Sequence, residues 1–272
     1  MINYGIFRKT LSDSFFALWL SVVGLTAFVI LFGWAMVNMG QELMEFVSRL
    51  GFVKKIMEMS LGVSLDGEVS LTTLFAICFT HGVILTTTWG VLIATATRVT
   101  VGEVEKGTAD LMLTLPVSRF RVFCSTTLVW ALIAIVLSFV PILGIWLSIL
   151  ILQPEESIDI SRYVAPAINF ACLNLAIASM AAMIGSIYDR RGLAVGTTIC
   201  IALVSVVLNF LEPFIEVLDS IMFLSFLNYF RPVDVVKDGV FPTTSCLVLL
   251  GFVAACWLVG MTVFSRKDIP TA

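Results

Sequence analysis

The stretch VFCSTTLVWALIAIVLSFVPILGIWLSIL, residues 122–150, contains no charged side chain. It exceeds the roughly 20 apolar residues that a helix needs to cross the hydrocarbon of a bilayer. Five further uncharged runs read the same way, at 15–36, 71–94, 163–187, 193–211 and 243–264. The composition agrees, with 59% apolar residues and 13% charged ones, about half the charge of a soluble domain. A water-soluble enzyme and a disordered chain are both excluded. The expected fold is an all-α polytopic membrane protein of six transmembrane helices, forming one domain over residues 1–272.

The first run is longer than a signal-peptide core and has no clear small-x-small cleavage site, so it is expected to remain as a helix. Ahead of it Ile2, Ile6 and Thr10 recur at i, i+4 and i+8 beside Arg8 and Lys9, which predicts a short amphipathic helix in the headgroup plane. With both termini on one side, that face collects 10 Lys/Arg and 6 Asp/Glu, and the opposite face 6 Lys/Arg and 13 Asp/Glu. All 16 basic and 19 acidic residues are then used, so none is left inside a span. The positive-inside bias places both termini in the cytoplasm.

Several chemistries fall away. A net charge of −3 offers no basic field for nucleic acid. Cys78, Cys124, Cys172, Cys200, Cys246 and Cys256 lie in apolar runs without C-x-x-C spacing, and read as small hydrophobes rather than disulfides or metal ligands. Ion-coupled carriers usually hold a charged group at membrane depth, and the only titratable candidate here is His81, read as a hydrogen-bond partner for a neighbouring helix. One histidine supports neither a zinc motif nor a hydrolase dyad, so catalytic and metal residues are expected to be absent.

The longest segment on the basic face, 98–121, reads RVTVGEVEKGTADLMLTLPVSRFR. Val104, Thr108, Leu111 and Leu115 form a mostly apolar helical stripe, with Glu103, Lys106 and Asp110 on another face. Pro116 stops that helix. Gly107 costs about 1 kcal/mol relative to Ala inside a helix, which predicts a kink with Thr108 capping the second piece. On pattern alone, an amphipathic helix lying on lipid reads equally well.

At these positions the chain resembles a known family. Gly102-Glu103, Gly107-Thr108, Leu111, Leu113, Pro116 and Arg119 are similar to the G-E-x-x-x-G-T-x-x-L-x-L-x-x-P-x-x-R signature of type-2 ABC transporter permeases. The resemblance implies an interfacial helix at 1–13, a coupling helix at 102–119, a second cytoplasmic contact at 188–192 and re-entrant outer helices at 212–242. The implied ATPase-coupling interface is Gly102, Glu103, Val104, Glu105, Gly107, Thr108, Leu111, Leu115, Pro116 and Arg119, joined by Asp189, Arg190 and Arg191. No G-x-x-x-x-G-K-[ST] loop occurs in the sequence. ATP and Mg would therefore be bound by a partner ATP-binding subunit, with a second permease copy or paralogue completing the membrane part. Export is the implied direction.

Residues 212–242 are too apolar for a solvated loop and too polar at their ends for a seventh span. A short helix pair dipping into the outer leaflet fits, provided protein shelters its backbone. Ala178, Ala182, Gly185, Gly251 and Ala255 are expected to allow close helix packing. Thr80, His81, Asn169 and Asn174 are candidates to line a pathway, with Thr86, Thr87, Thr88 and Asn209 also at depth. Interhelical hydrogen bonds are the plainer role for such groups. Met39, Met44, Met57 and Met59 allow a soft-metal role but read better as filler. The alternative function is a six-span scaffold or channel-like protein without ATPase coupling.

Overall fold

The computed structural model describes residues 3–49, 70–102, 105 and 118–267. Among them there are helices and no strands, and six helices are long and apolar enough to cross a membrane. The elements are α1 (Tyr4–Arg49), α2 (Leu71–Ala76), α3 (Gly82–Thr97), α4 (Arg119–Leu152), α5 (Val164–Ile187), α6 (Arg191–Leu211), α7 (Pro232–Asp238) and α8 (Thr243–Arg266). The described residues are thus all-helical in their regular structure, and the six apolar helices fit a multi-pass membrane protein.

Residues 4–13 are not a separate helix: they run without a break into the first span. Glycine and proline are absent from residues 6–23, so no residue interrupts the turn-by-turn bonding. Ile6, Thr10 and Ser14 are buried and share a stripe with Leu25 and Val29 further along. The amphipathic face at the N-terminus thus packs against protein, and the backbone N–H of Asn3 donates to Ser125 Oγ on α4 at 2.9 Å.

The second span, by contrast, is broken. Ser70 caps α2, which tightens into a 3₁₀ turn at Ile77–Thr80, and α3 restarts after His81. His81 has extended backbone, and its Nδ1 accepts the N–H of Val83 at 3.2 Å. The ring packs on Phe28 and Phe32, with centroids 4.7 and 5.9 Å away. The interhelical hydrogen bond expected of His81 is replaced by a cap, because the restarting helix leaves orphan N–H groups that need an acceptor.

At the centre of the bundle lies α5, buried on almost every side. A helix that is apolar all round belongs inside, and its alanines at 171, 176, 178, 181 and 182 let neighbouring backbones approach. Gly185 fits this expectation, since a Cβ there would collide with Thr100. Gly251 and Ala255 do not: Ala255 is exposed, and a Cβ on Gly251 would meet nothing among the described residues. The close approach on α8 is at Gly260 instead, where a Cβ would sit 3.0 Å from the Met183 backbone. The two glycines are nine residues apart, which puts them on opposite sides of α8, and only the side of Gly260 crosses α5.

Residues 212–242 fold into three 3₁₀ segments, Glu212–Phe214, Glu216–Leu224 and Phe226–Tyr229, followed by α7. Ser205 of α6 holds this chain in place. Its Oγ lies 3.0 Å from Ser225 Oγ and accepts the Phe226 N–H at 2.8 Å. Gly239, at φ +67°, ends α7 in the left-handed conformation that a side chain would strain.

Candidate functional site

The expected coupling interface falls only partly within the described residues. Glu103, Val104, Gly107, Thr108, Leu111, Leu115 and Pro116 lie outside them, as does the kink read at Gly107. Gly102, Glu105, Arg119, Asp189, Arg190 and Arg191 lie at one end of the bundle, the end that also carries both described chain termini.

The two segments that the resemblance assigned to one interface meet there through Glu105 and Arg191. Arg191 begins α6, and its N-cap residue, Arg190, supplies no side-chain acceptor. The missing acceptor comes from across the fold: Glu105 Oε2 takes the Arg191 N–H at 2.9 Å. A carboxylate at a helix start is also favoured by the helix dipole. The Arg191 side chain runs the other way, with Nη2 donating to the carbonyl of Ala94 at 2.8 Å. Gly102 makes room for it, because a Cβ there would lie 3.2 Å from Arg191 Cδ. The π-type turn Arg98–Gly102 extends the second span to this junction.

A second cluster joins Asp189 and Arg119 through a residue that the sequence reading did not single out. Lys267, just beyond α8, places Nζ 2.9 Å from Asp189 Oδ1 and donates to the Tyr188 carbonyl at 2.6 Å. Arg119 Nη1 donates to the Lys267 carbonyl. Nearby, Arg98 pairs with Asp13 at 3.3 Å and donates to its carbonyl at 3.0 Å. The only sequence signal for Lys267 was its position: a basic residue after the last turn of a helix can reach exposed carbonyls.

The pathway candidates separate. Asn169 and Asn174 are fully buried within the bundle and do not line the cavity described below. Asn174 Nδ2 donates to Ser138 Oγ on α4 at 2.8 Å, and Asn169 Nδ2 approaches Cys246 Sγ on α8 at 3.6 Å. Both are interhelical contacts, the plainer of the two roles read from the sequence. Thr80 does line a cavity and His81 does not.

That cavity, about 600 Å³, lies between α3 and α6 in the half of the bundle away from the termini. Leu85, Trp89 and Ile93 line it from α3, and Ile199, Leu203 and Val206 from α6. The segment 227–233 closes one side. Polar groups gather at one end, where Asn209, Glu212 and Arg231 join Thr80. Sequence reasoning had Thr80 and Asn209 at depth but gave no sign that α3 and α6 diverge around a void.

Outside the spans, two carboxyls are shifted in opposite directions. Asp159 accepts from Ser161, whose N–H lies at 2.9 Å, and this holds its carboxyl below the usual aspartate range. Burial pushes the Asp234 carboxyl of α7 up, against the opposing pull of Arg231.

No curated protein matches this sequence. The model of one family, described as "Protein of unknown function (DUF2705)", matches residues 88–270, well over half of the chain, and the chain belongs to that family.

Proposed function

We propose that this chain is the permease subunit of a type-2 ABC transporter, forming the membrane pathway while a separate ATP-binding subunit supplies the power stroke. The observation that carries the reading is the hydrogen bond from Arg191 N–H to Glu105. It ties the segment that resembles a coupling helix to the start of the fifth span. A push on 102–119 would therefore reach α6 directly, and through Gly102 and Arg191 would also reach α3. Packed helices respond to such a push by tilting together rather than by bending.

On this reading the end that carries the termini faces the cytoplasm, which its excess of basic residues favours. Val104, Leu111 and Leu115 fill an apolar groove on the ATPase, with Glu103 and Arg119 at its rim. The 3₁₀ segments and α7 dip into the outer leaflet. Their backbone is sheltered by α6, where Ser205 supplies hydrogen bonds that lipid could not. A second copy or a paralogue completes the pathway, ATP and Mg stay with the partner, and the substrate is exported.

The test is copurification from membranes with an ATP-binding subunit. Wild-type chain retains that partner, whereas Glu103→Arg and deletion of residues 107–116 lose it while keeping the six-span fold. A chain that carries flux in vesicles without ATP, and retains no such subunit, overturns the reading.

A further inference from the structure

We propose that the cleft between α3 and α6 binds a single-tailed amphiphile whose head carries no net charge. As a transport site the cleft rests on the permease reading; as a binding site it does not, because binding is measured on this chain with no ATPase present.

The volume sets the size of the occupant. About 600 Å³ lies in the range of small-molecule sites, roughly 300–1,000 Å³. At roughly 30 Å³ per water-sized group, the cleft holds about 20 heavy atoms, enough for one tail and not two. At its deep end α3 and α6 are drawn together by the Arg191–Ala94 hydrogen bond, so a tail has a floor to end on.

The walls set the chemistry. Gly82, Thr86, Gly90 and Ile93 follow one another along one face of α3 and all line the cleft. A Cβ on Gly82 or Gly90 would meet nothing among the described residues, so these glycines open space rather than admit a packed neighbour. Opposite them α6 offers aliphatic side chains that are themselves exposed, Ile199 and Leu203 among them. An alkyl tail buries both walls.

The mouth sets the head. Arg231 Nη2 and Glu212 Oε1 are 3.8 Å apart, with side chains 50% and 27% exposed, a loose pair with a cation and an anion both within reach of a ligand. Asn209 adds a neutral donor and acceptor at the same end. A head with a single charge meets attraction from one partner and repulsion from the other, whereas a zwitterion gains from both.

The experiment is equilibrium binding of tritiated lysophosphatidylcholine to the full chain in phosphatidylglycerol nanodiscs. Lysophosphatidylglycerol and an alkyltrimethylammonium of the same chain length serve as singly charged comparators. Wild-type chain prefers the zwitterion. Gly90→Phe fills the cleft and weakens binding about tenfold or more. Arg231→Gln moves the preference toward the cation, and Glu212→Gln moves it toward the anion. Should Gly90→Phe disturb folding, Gly82→Leu occludes the mouth from another open position. Binding unchanged by both glycine variants, no preference for the zwitterion, or equal displacement by diacyl phosphatidylcholine each overturns the proposal. Loss of ATPase copurification leaves all of these readouts intact, so failure of the permease reading is separately visible.

Discussion

Glu105 Oε2 accepts the backbone N–H of Arg191 at 2.9 Å, across 86 residues of sequence. The bond does two things. It satisfies an orphan donor at the start of α6, and it makes the orientation of that helix depend on the segment around residue 105. Glu105→Ala is expected to destabilise the chain by about 0.5–1 kcal/mol, the lower part of the range for a lost N-cap because the carboxylate is exposed. Thermal unfolding in detergent reads this directly. Glu105→Gln retains an acceptor and should recover most of the loss, and a variant no better than alanine would show that the bond contributes nothing.

The two glycines of α8 give a contrast within one helix. Gly260 lies against the Met183 backbone, which has no flexible end to move aside. Gly260→Ala should therefore cost about 1–3 kcal/mol through overpacking. Gly251 meets nothing among the described residues, so Gly251→Ala should be neutral or stabilising by up to about 1 kcal/mol from helix propensity. Parallel measurement of unfolding midpoints decides the matter, and equal losses at both positions would contradict the placement of α8 on α5.

How these positions divide shows what the sequence could carry. The six spans were legible because lipid imposes one requirement on every residue of a long run, and charge counting needs no tertiary information. Local capping was only half legible. His81 was visible as an oddity, but its role depends on a helix break that the neighbouring Gly82 does not dictate by itself. Gly251 and Gly260 lie on opposite sides of α8, and nothing in the sequence says which of the two sides crosses α5. The Glu105–Arg191 bond joins two segments that the resemblance to one family assigned to the same interface, but no spacing rule pairs these two residues. The cleft was invisible because a void is a property of diverging helices and not of any residue lining it.

Asp159 and Asp234 predict opposite pH behaviour. For Asp159 the folded-state carboxyl is depressed by its bonds to Ser161. Its contribution is present above the usual aspartate value and is lost as pH falls through the lowered one. For Asp234 the folded-state carboxyl is raised by burial. The charged form therefore costs stability at neutral pH, and the cost is relieved as pH falls through the raised value toward the unfolded one. Asp234→Asn should accordingly be more stable than wild type at neutral pH and indistinguishable from it near pH ~3.5, below the reference value. Asp159→Asn should be less stable at neutral pH, with its deficit closing only at more acidic pH. Midpoints across the pH series check both, and parallel curves for either variant and wild type would exclude its assignment.

Lys267 and Asp189 form an ion pair at 2.9 Å, yet the two ends are unequal. The Lys267 side chain is 11% exposed and that of Asp189 78% exposed. Water solvates the carboxylate whether or not the lysine is present, so the ion pair itself should contribute little. The stronger tie is the bond from Lys267 Nζ to the Tyr188 carbonyl, 2.6 Å away at the C-terminal end of α5. There an ammonium meets both a lone carbonyl and the negative end of the helix dipole. Lys267→Met should thus cost about 1–2 kcal/mol, leaving that carbonyl without its donor. Asp189→Asn should change the unfolding midpoint by less than about 1 °C, because an exposed pair of this kind is worth a few tenths of a kcal/mol. Equal losses in the two variants would mean that the ion pair, rather than the carbonyl bond, fastens the end of the last span to the turn between α5 and α6.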